Sequence, residues 1–248
     1  MRLLILSLLF SINTIETSAQ NINTWKISSF PDSKNLLYQY SFDTVEWQVF
    51  SKDDEVFVRK YIYERDDYAL PFKIIALTDR EKYELKGSRK GIKVEDGFIV
   101  CFNRGEWGSY LYWFSNDGNT KEKLGNYKIV NFLERDKTVY ALESNYNSSV
   151  IMFKKIQNKW SIEKYLQFPS KGYAMILDND KNLFILSKGG LFYIDKYKQI
   201  ETLIDVGLWS EYFTPNSMVI KKNIVYIGMQ KGVVKYNIGE MEEWLLPE

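Results

Sequence analysis

Three groups of side chains in this sequence have the composition of a site. Asn103, Arg104, Gly105, Glu106, Trp107 and Gly108 set an indole between glycines, beside a guanidinium and a carboxylate. The stretch from Gly207 to Pro215 holds Trp209, Tyr212 and Phe213, with Tyr146 and Asn147 a smaller candidate of the same kind. Flat apolar rings with directional hydrogen-bonding groups nearby are what sugar rings or peptide side chains need from a binding surface. The third group is Glu64, Asp66 and Asp67, with Arg65 interleaved. Two carboxylates held about 5–10 Å apart in a cleft serve as general acid and base, whereas the same residues in an open loop are only solvated.

The residue types that are absent narrow the chemistry further. The chain has no histidine, which removes Ser-His-Asp and Cys-His nucleophile activation, histidine-ligated zinc and an imidazole proton shuttle. Any catalysis runs on carboxylates, Tyr, Lys or Arg. Cys101 is the single cysteine and sits in the apolar run Phe98 to Phe102, so no intrachain disulfide forms and burial is expected. Lys and Arg total 33 against 32 Asp and Glu, scattered without a basic run. That balance gives no stripe to follow a phosphate backbone, so nucleic acid is not an expected partner. Asp178, Asn179, Asp180, Lys181 and Asn182 match the first ligand positions of a calcium loop, but Leu183 replaces the glycine and Gly189 the bidentate Glu. No metal or other cofactor is expected.

The elements that must position these groups repeat. The apolar cores of five strand-rich units begin near Val56, Phe98, Val139, Leu183 and Ile224, at intervals of 42, 41, 44 and 41 residues. That period, with short strands and turn residues between them, predicts an all-β fold: a single β-propeller of five four-stranded blades, with six as the alternative count. The clearest unit runs from Tyr173 to Ile204, with strands Ala174 to Leu177, Leu183 to Leu186, Leu191 to Ile194 and Ile200 to Ile204. The next repeats it, with Gly190 and Gly232 at equivalent hairpin turns where a positive φ is expected. The first unit reads Val45 to Phe50, Glu55 to Tyr61, Phe72 to Leu77 and Lys82 to Leu85. Asn23 to Phe42 is left over and is expected to add a strand at the ring closure, because a closed ring removes unpaired sheet edges.

Asn223, Val225, Tyr226, Ile227, Gly228, Gly232, Val233, Val234 and Tyr236 resemble the repeat core of NHL-type and two-component-regulator-type β-propellers. The resemblance implies a radial fold and carries no catalytic residues across; Phe184 and Tyr226 stand where the usual tryptophan would be. Ser115 to Thr120 resembles a contracted Asp-box of sialidase-like propellers, one residue short, and reads as a hairpin turn.

At the start of the chain, Arg2, the apolar run Leu3 to Ile12, and Thr17 and Ala19 before Gln20 form the pattern of a secretory signal peptide over residues 1–19, cleaved after Ala19. The apolar run is about half the roughly 20 residues a bilayer needs. Residues 20–248 are expected to form the propeller domain as an exported, periplasmic or secreted monomer without a membrane span. In a four-stranded blade, loops joining the second and third strands open on the same face as those leading to the next blade. That geometry gathers Arg104, Glu106, Trp107, Tyr146, Trp209, Tyr212 and Phe213 on one loop face, the expected binding site for a protein or glycan ligand. The alternatives are a carboxylate-based polysaccharide hydrolase or lyase with its site at the channel, and an envelope-complex subunit with a broad apolar patch.

Overall fold

A computed structural model describes residues 19–28, 45–61, 68–207, 209, 213–240 and 242–247. Two short N-terminal strands come first, β1 (Gln20–Asn21) and β2 (Lys26–Ser28), followed by β3 (Trp47–Lys52) and β4 (Glu55–Lys60). A helix, α1 (Asp79–Glu84), then leads into blade II, made of β5 (Ser88–Val94), β6 (Gly97–Asn103), β7 (Ser109–Ser115) and β8 (Lys121–Gly125). Blade III is β9 (Ile129–Arg135), β10 (Thr138–Glu143), β11 (Ser149–Ile156) and β12 (Lys159–Gln167). Blade IV is β13 (Gly172–Leu177), β14 (Leu183–Ser187), β15 (Gly190–Ile194) and β16 (Ile200–Ile204). Blade V is β17 (Pro215–Lys221), β18 (Ile224–Met229), β19 (Val233–Asn237) and β20 (Glu242–Leu246).

The result is five antiparallel sheets arranged as a five-bladed β-propeller. Four blades follow simple up-and-down order, and the five repeat positions read from the sequence all fall on second strands or the turns that open them. These second strands are almost wholly apolar because both faces are covered by neighbouring blades; Val100, Cys101, Leu142, Ile185 and Ile227 are all inaccessible to solvent. Cys101 is buried as expected, with Sγ donating to the Tyr127 carbonyl at 3.2 Å, and burial pushes its thiol up to about 12.

Ring closure uses the N-terminal segment twice. β1 pairs with β4 in the first sheet, while β2 pairs with β20 and becomes a fifth strand of blade V. Between them Trp25 is buried edge-on against Trp47, with ring centroids 4.8 Å apart, and its indole N–H donates to Gln20 Oε1. The expected closing strand is therefore present at Lys26–Ser28; residues 29–44 lie outside the described residues.

Blade I departs from the sequence reading. Phe72 to Leu77 does not form a strand, and Lys82 to Leu85, also expected as one, belongs largely to α1. The helix follows from local chemistry: Thr78 Oγ1 accepts from the Glu81 amide at 3.1 Å, and Glu81 Oε2 reaches back to accept from the amide of Leu77, the residue before the cap, at 2.6 Å, a variant of the capping box. The segment before it lies extended over blade II, with Tyr68, Leu70, Phe72 and Ile74 packed on the Phe98 and Phe114 cluster. Phe72 sits so close to the hairpin turn of β7 and β8 that a Cβ on Gly118 would lie 2.2 Å from its ring. That turn is held as a structural unit, Ser115 Oγ donating to Asp117 Oδ1 at 2.6 Å.

Candidate functional site

The innermost strands of all five blades begin around one opening, on the face where the second-to-third-strand loops emerge. A cavity of about 200 Å³ sits there. Its wall takes Glu46 and Gln48 from blade I, Ser88 and Lys90 from blade II, Ile129 from blade III, Tyr173 from blade IV and Asn216 from blade V. A groove of about 480 Å³ adjoins it and shares Lys128, Ser144 and Lys171, adding Asn145, Tyr146, Pro169, Ser170 and Lys188.

The electrostatics of this opening are uneven. Glu46 is the one carboxylate among the described residues that line the cavity. Burial raises its pKa and the Asn216 side-chain amide, 3.4 Å away, only partly opposes that. At Lys90, which also lines the cavity, burial and then the Arg59 charge lower the pKa. At Lys171 partial desolvation, followed by repulsion from Lys128 and Lys188, acts in the same direction. Paired carboxylates facing one another across the channel, which the hydrolase alternative requires, are not assembled among the described lining residues; Glu64, Asp66 and Asp67 lie outside the described residues.

The residues singled out from the sequence divide. Tyr146 is 93% exposed and borders the groove. Glu106 and Trp107 lie in a short turn, Gly105–Trp107, that Arg104 immediately precedes, beside α1, and Trp107 is 70% exposed. The Arg104 guanidinium lies 3.6 Å over the Tyr83 ring, and Tyr83 Oη donates to the Trp107 carbonyl at 3.3 Å. Trp209 and Phe213 do not join them. Trp209 is 1% exposed and its indole N–H donates to the Ser187 carbonyl at 2.8 Å, while Phe213 is 2% exposed against Trp244. Both are packing residues of the seam between blades IV and V, where they join an apolar cluster with Leu186, Leu191, Met218 and Trp244. Tyr212 lies outside the described residues.

Sequence reasoning missed the lysines. Lys128 and Lys171 each immediately precede the innermost strand of their blade, one repeat apart, and Lys188 stands in the turn between β14 and β15. Aligning the repeats by the residue before each inner strand reveals the pair; scanning for consecutive charges does not. The potential calcium loop is an ordinary turn, Asp178 accepting from the Asn182 amide at 2.8 Å, and no metal-binding group of His, Cys, Asp and Glu occurs among the described residues.

No family model matches the chain, and no curated protein does either. Among solved structures it is similar to a gluconolactonase from Xanthomonas campestris, at 11% identity and a TM-score of 0.42 over 77% of this chain and 62% of that one. It is also similar to the extracellular domain of the B. thetaiotaomicron protein BT4673, at 11% identity and a TM-score of 0.46 over 79% of this chain and 26% of that one. The AfRom2 CNH domain matches at 10% identity and a TM-score of 0.46 over 89% of this chain and 73% of that one. This chain thus spans less than two thirds of the first two. These likenesses carry no argument about function; the propeller assignment stands on the sheets themselves. Among the described residues no helix is long and apolar enough to cross a membrane.

Proposed function

We propose that the protein is an exported binding module that takes its ligand at the channel opening, with the groove beside Tyr146 as part of the same site. The observation that carries this is the convergence of side chains from all five innermost strands on one concave opening. Concavity with a few converging polar groups is the usual form of a ligand site. The N-terminal segment from Arg2 to Ala19 supports export, and the repeat core from Asn223 to Tyr236 supports placing the chain with NHL-type or two-component-regulator-type propellers. Arg104, Glu106 and Trp107 form an outer rim.

The test is a thermal-shift screen against saccharides and peptides, run on the natural chain and on Ser88→Trp, since a ligand that binds only the folded state raises its melting temperature. Ser88 stands on β5 at the cavity wall, so an indole there occupies the opening. Hits are expected to disappear in Ser88→Trp while its circular dichroism stays that of the natural chain. Hits retained by a folded Ser88→Trp place the site elsewhere and overturn this reading.

A further inference from the structure

The groove has a chemical character that identifies a class of ligand, given the binding reading above on which this step rests. Three ammonium groups, Lys128, Lys171 and Lys188, border it, and no acidic side chain does. None of the three forms an ion pair among the described residues, although other lysines such as Lys121, Lys123, Lys155 and Lys235 do. Uncompensated like charges gathered at one concavity repel each other and favour an anion placed between them. A second, independent feature lies beside them: the Ser144 hydroxyl is buried and has no hydrogen-bond partner, and Ser144 lines both groove and cavity. A buried hydroxyl without a partner is costly, and an oxyanion at this place would satisfy it. The third feature is the exposed ring of Tyr146 on the same groove.

We infer that the groove binds an acidic saccharide, a uronate or sulfated sugar. Lys128, Lys171 and Lys188 with the Ser144 hydroxyl receive the oxyanion, and Tyr146 offers a platform for the ring. The groove argues against an acidic peptide because every residue bordering it lies in a loop or turn. It therefore presents no sheet edge of the kind that extended peptides use for backbone pairing. Lysines act as point charges rather than planar forks, so the same cluster accepts carboxylate or sulfate, and the experiment separates the two.

The measurement is isothermal titration of the full chain with four probes of similar length: an oligogalacturonate, a sulfated galactan oligosaccharide, a neutral galactan oligosaccharide and an oligoglutamate peptide. The expected result is binding of one or both acidic saccharides, weakened about tenfold or more in Lys128→Gln/Lys171→Gln and further by added salt. Tyr146→Ala should weaken it without changing the salt dependence. Which acidic saccharide binds identifies the source of the oxyanion. Equal binding of the neutral saccharide, lost in Ser88→Trp but kept in the double lysine variant, would overturn the anionic assignment and leave the channel site standing. Preference for oligoglutamate, or no binding of any probe, would overturn the saccharide assignment. Lys159→Gln, on the strand-turn-strand end of β12 outside the groove, serves as the charge control and should bind as the natural chain does.

Discussion

Two tryptophans sit in comparable loops of this ring and have opposite fates. Trp209, in the connection from blade IV to blade V, is buried with its N–H bonded to the Ser187 carbonyl. Trp107, in the turn from β6 to β7, is left mostly in solvent. The glycines explain part of the contrast: a Cβ on Gly207 would lie 2.3 Å from the Trp209 ring, so glycine makes room for the indole to fold back. Gly105 and Gly108, at φ of 64° and 99°, instead bend the chain so that Trp107 projects outward. The blade II region is anchored by another device. Glu84, at the end of α1, is buried and accepts from Tyr112 Oη, from Lys123 Nζ at 2.8 Å and from Arg80 Nε at 2.8 Å. One seam is held by an apolar wedge and the other by a buried carboxylate with its donors, so they should respond to different perturbations.

The largest effect is expected at the wedge. Trp209→Ala should cost about 3–5 kcal/mol, the range for emptying a large aromatic site, seen in circular dichroism as a melting temperature lowered relative to the natural chain by the same amount at every pH between 3 and 7. An unchanged melt would mean that the seam is held by something else. Glu84→Gln should cost about 2–3 kcal/mol at pH 7, because Lys123 then keeps a buried partner without charge. Burial alone would raise the Glu84 pKa, but Lys123, Tyr112 and Arg80 outweigh it and hold the carboxyl at about 2. With the folded value depressed below 4.5, the stabilisation is present above pH 4.5 and is lost as pH falls toward 2; a shift of that size is worth about 3 kcal/mol. Urea melts of the natural chain and Glu84→Gln should therefore converge from pH 5 to pH 3, and parallel curves would refute the role. The smallest effect belongs to Trp107→Ala, expected within about 0.5 kcal/mol of the natural chain as for other exposed positions. A larger loss there would show that the rim ring packs after all.

The same comparison shows what the sequence could convey. Strand alternation and a repeat period located every blade, because the second strands are covered on both faces and their apolar runs are forced by burial. Where packing came from a distant segment the pattern was silent: Tyr68, Phe72 and Ile74 alternate like a strand yet pair with none, covering blade II. The helix from Asp79 to Glu84 was legible in Thr78 and Glu81, but the expected four-strand repeat masked that signal. Gly190 has the anticipated positive φ, whereas at the equivalent turn Lys231 takes it, at 67°. Gly232 is needed because a Cβ would meet the Leu245 carbonyl at 2.5 Å. Whether a loop aromatic turns in or out depends on the gap between two sheets, which no single stretch of chain records. The candidate lysines were hidden because their proximity is radial, created only when successive blades are set around an axis.

The double pairing of the N-terminal segment has a consequence for how the protein is made. Lys26 pairs with Leu246, so this segment bonds to the fourth strand of blade V as well as to the first sheet. Blades II to IV consist of contacts local in sequence, but closing the ring joins β2 to β20, the strand pairing with the greatest sequence separation and so the greatest loop-closure entropy. Ring closure is therefore expected to follow the formation of the single blades, and until β2 docks the outer edge of β20 has no partner. The blades are thus tied into one unit only when the N-terminal strands find their two partners, which makes ring closure the step that converts separate sheets into a single cooperative domain.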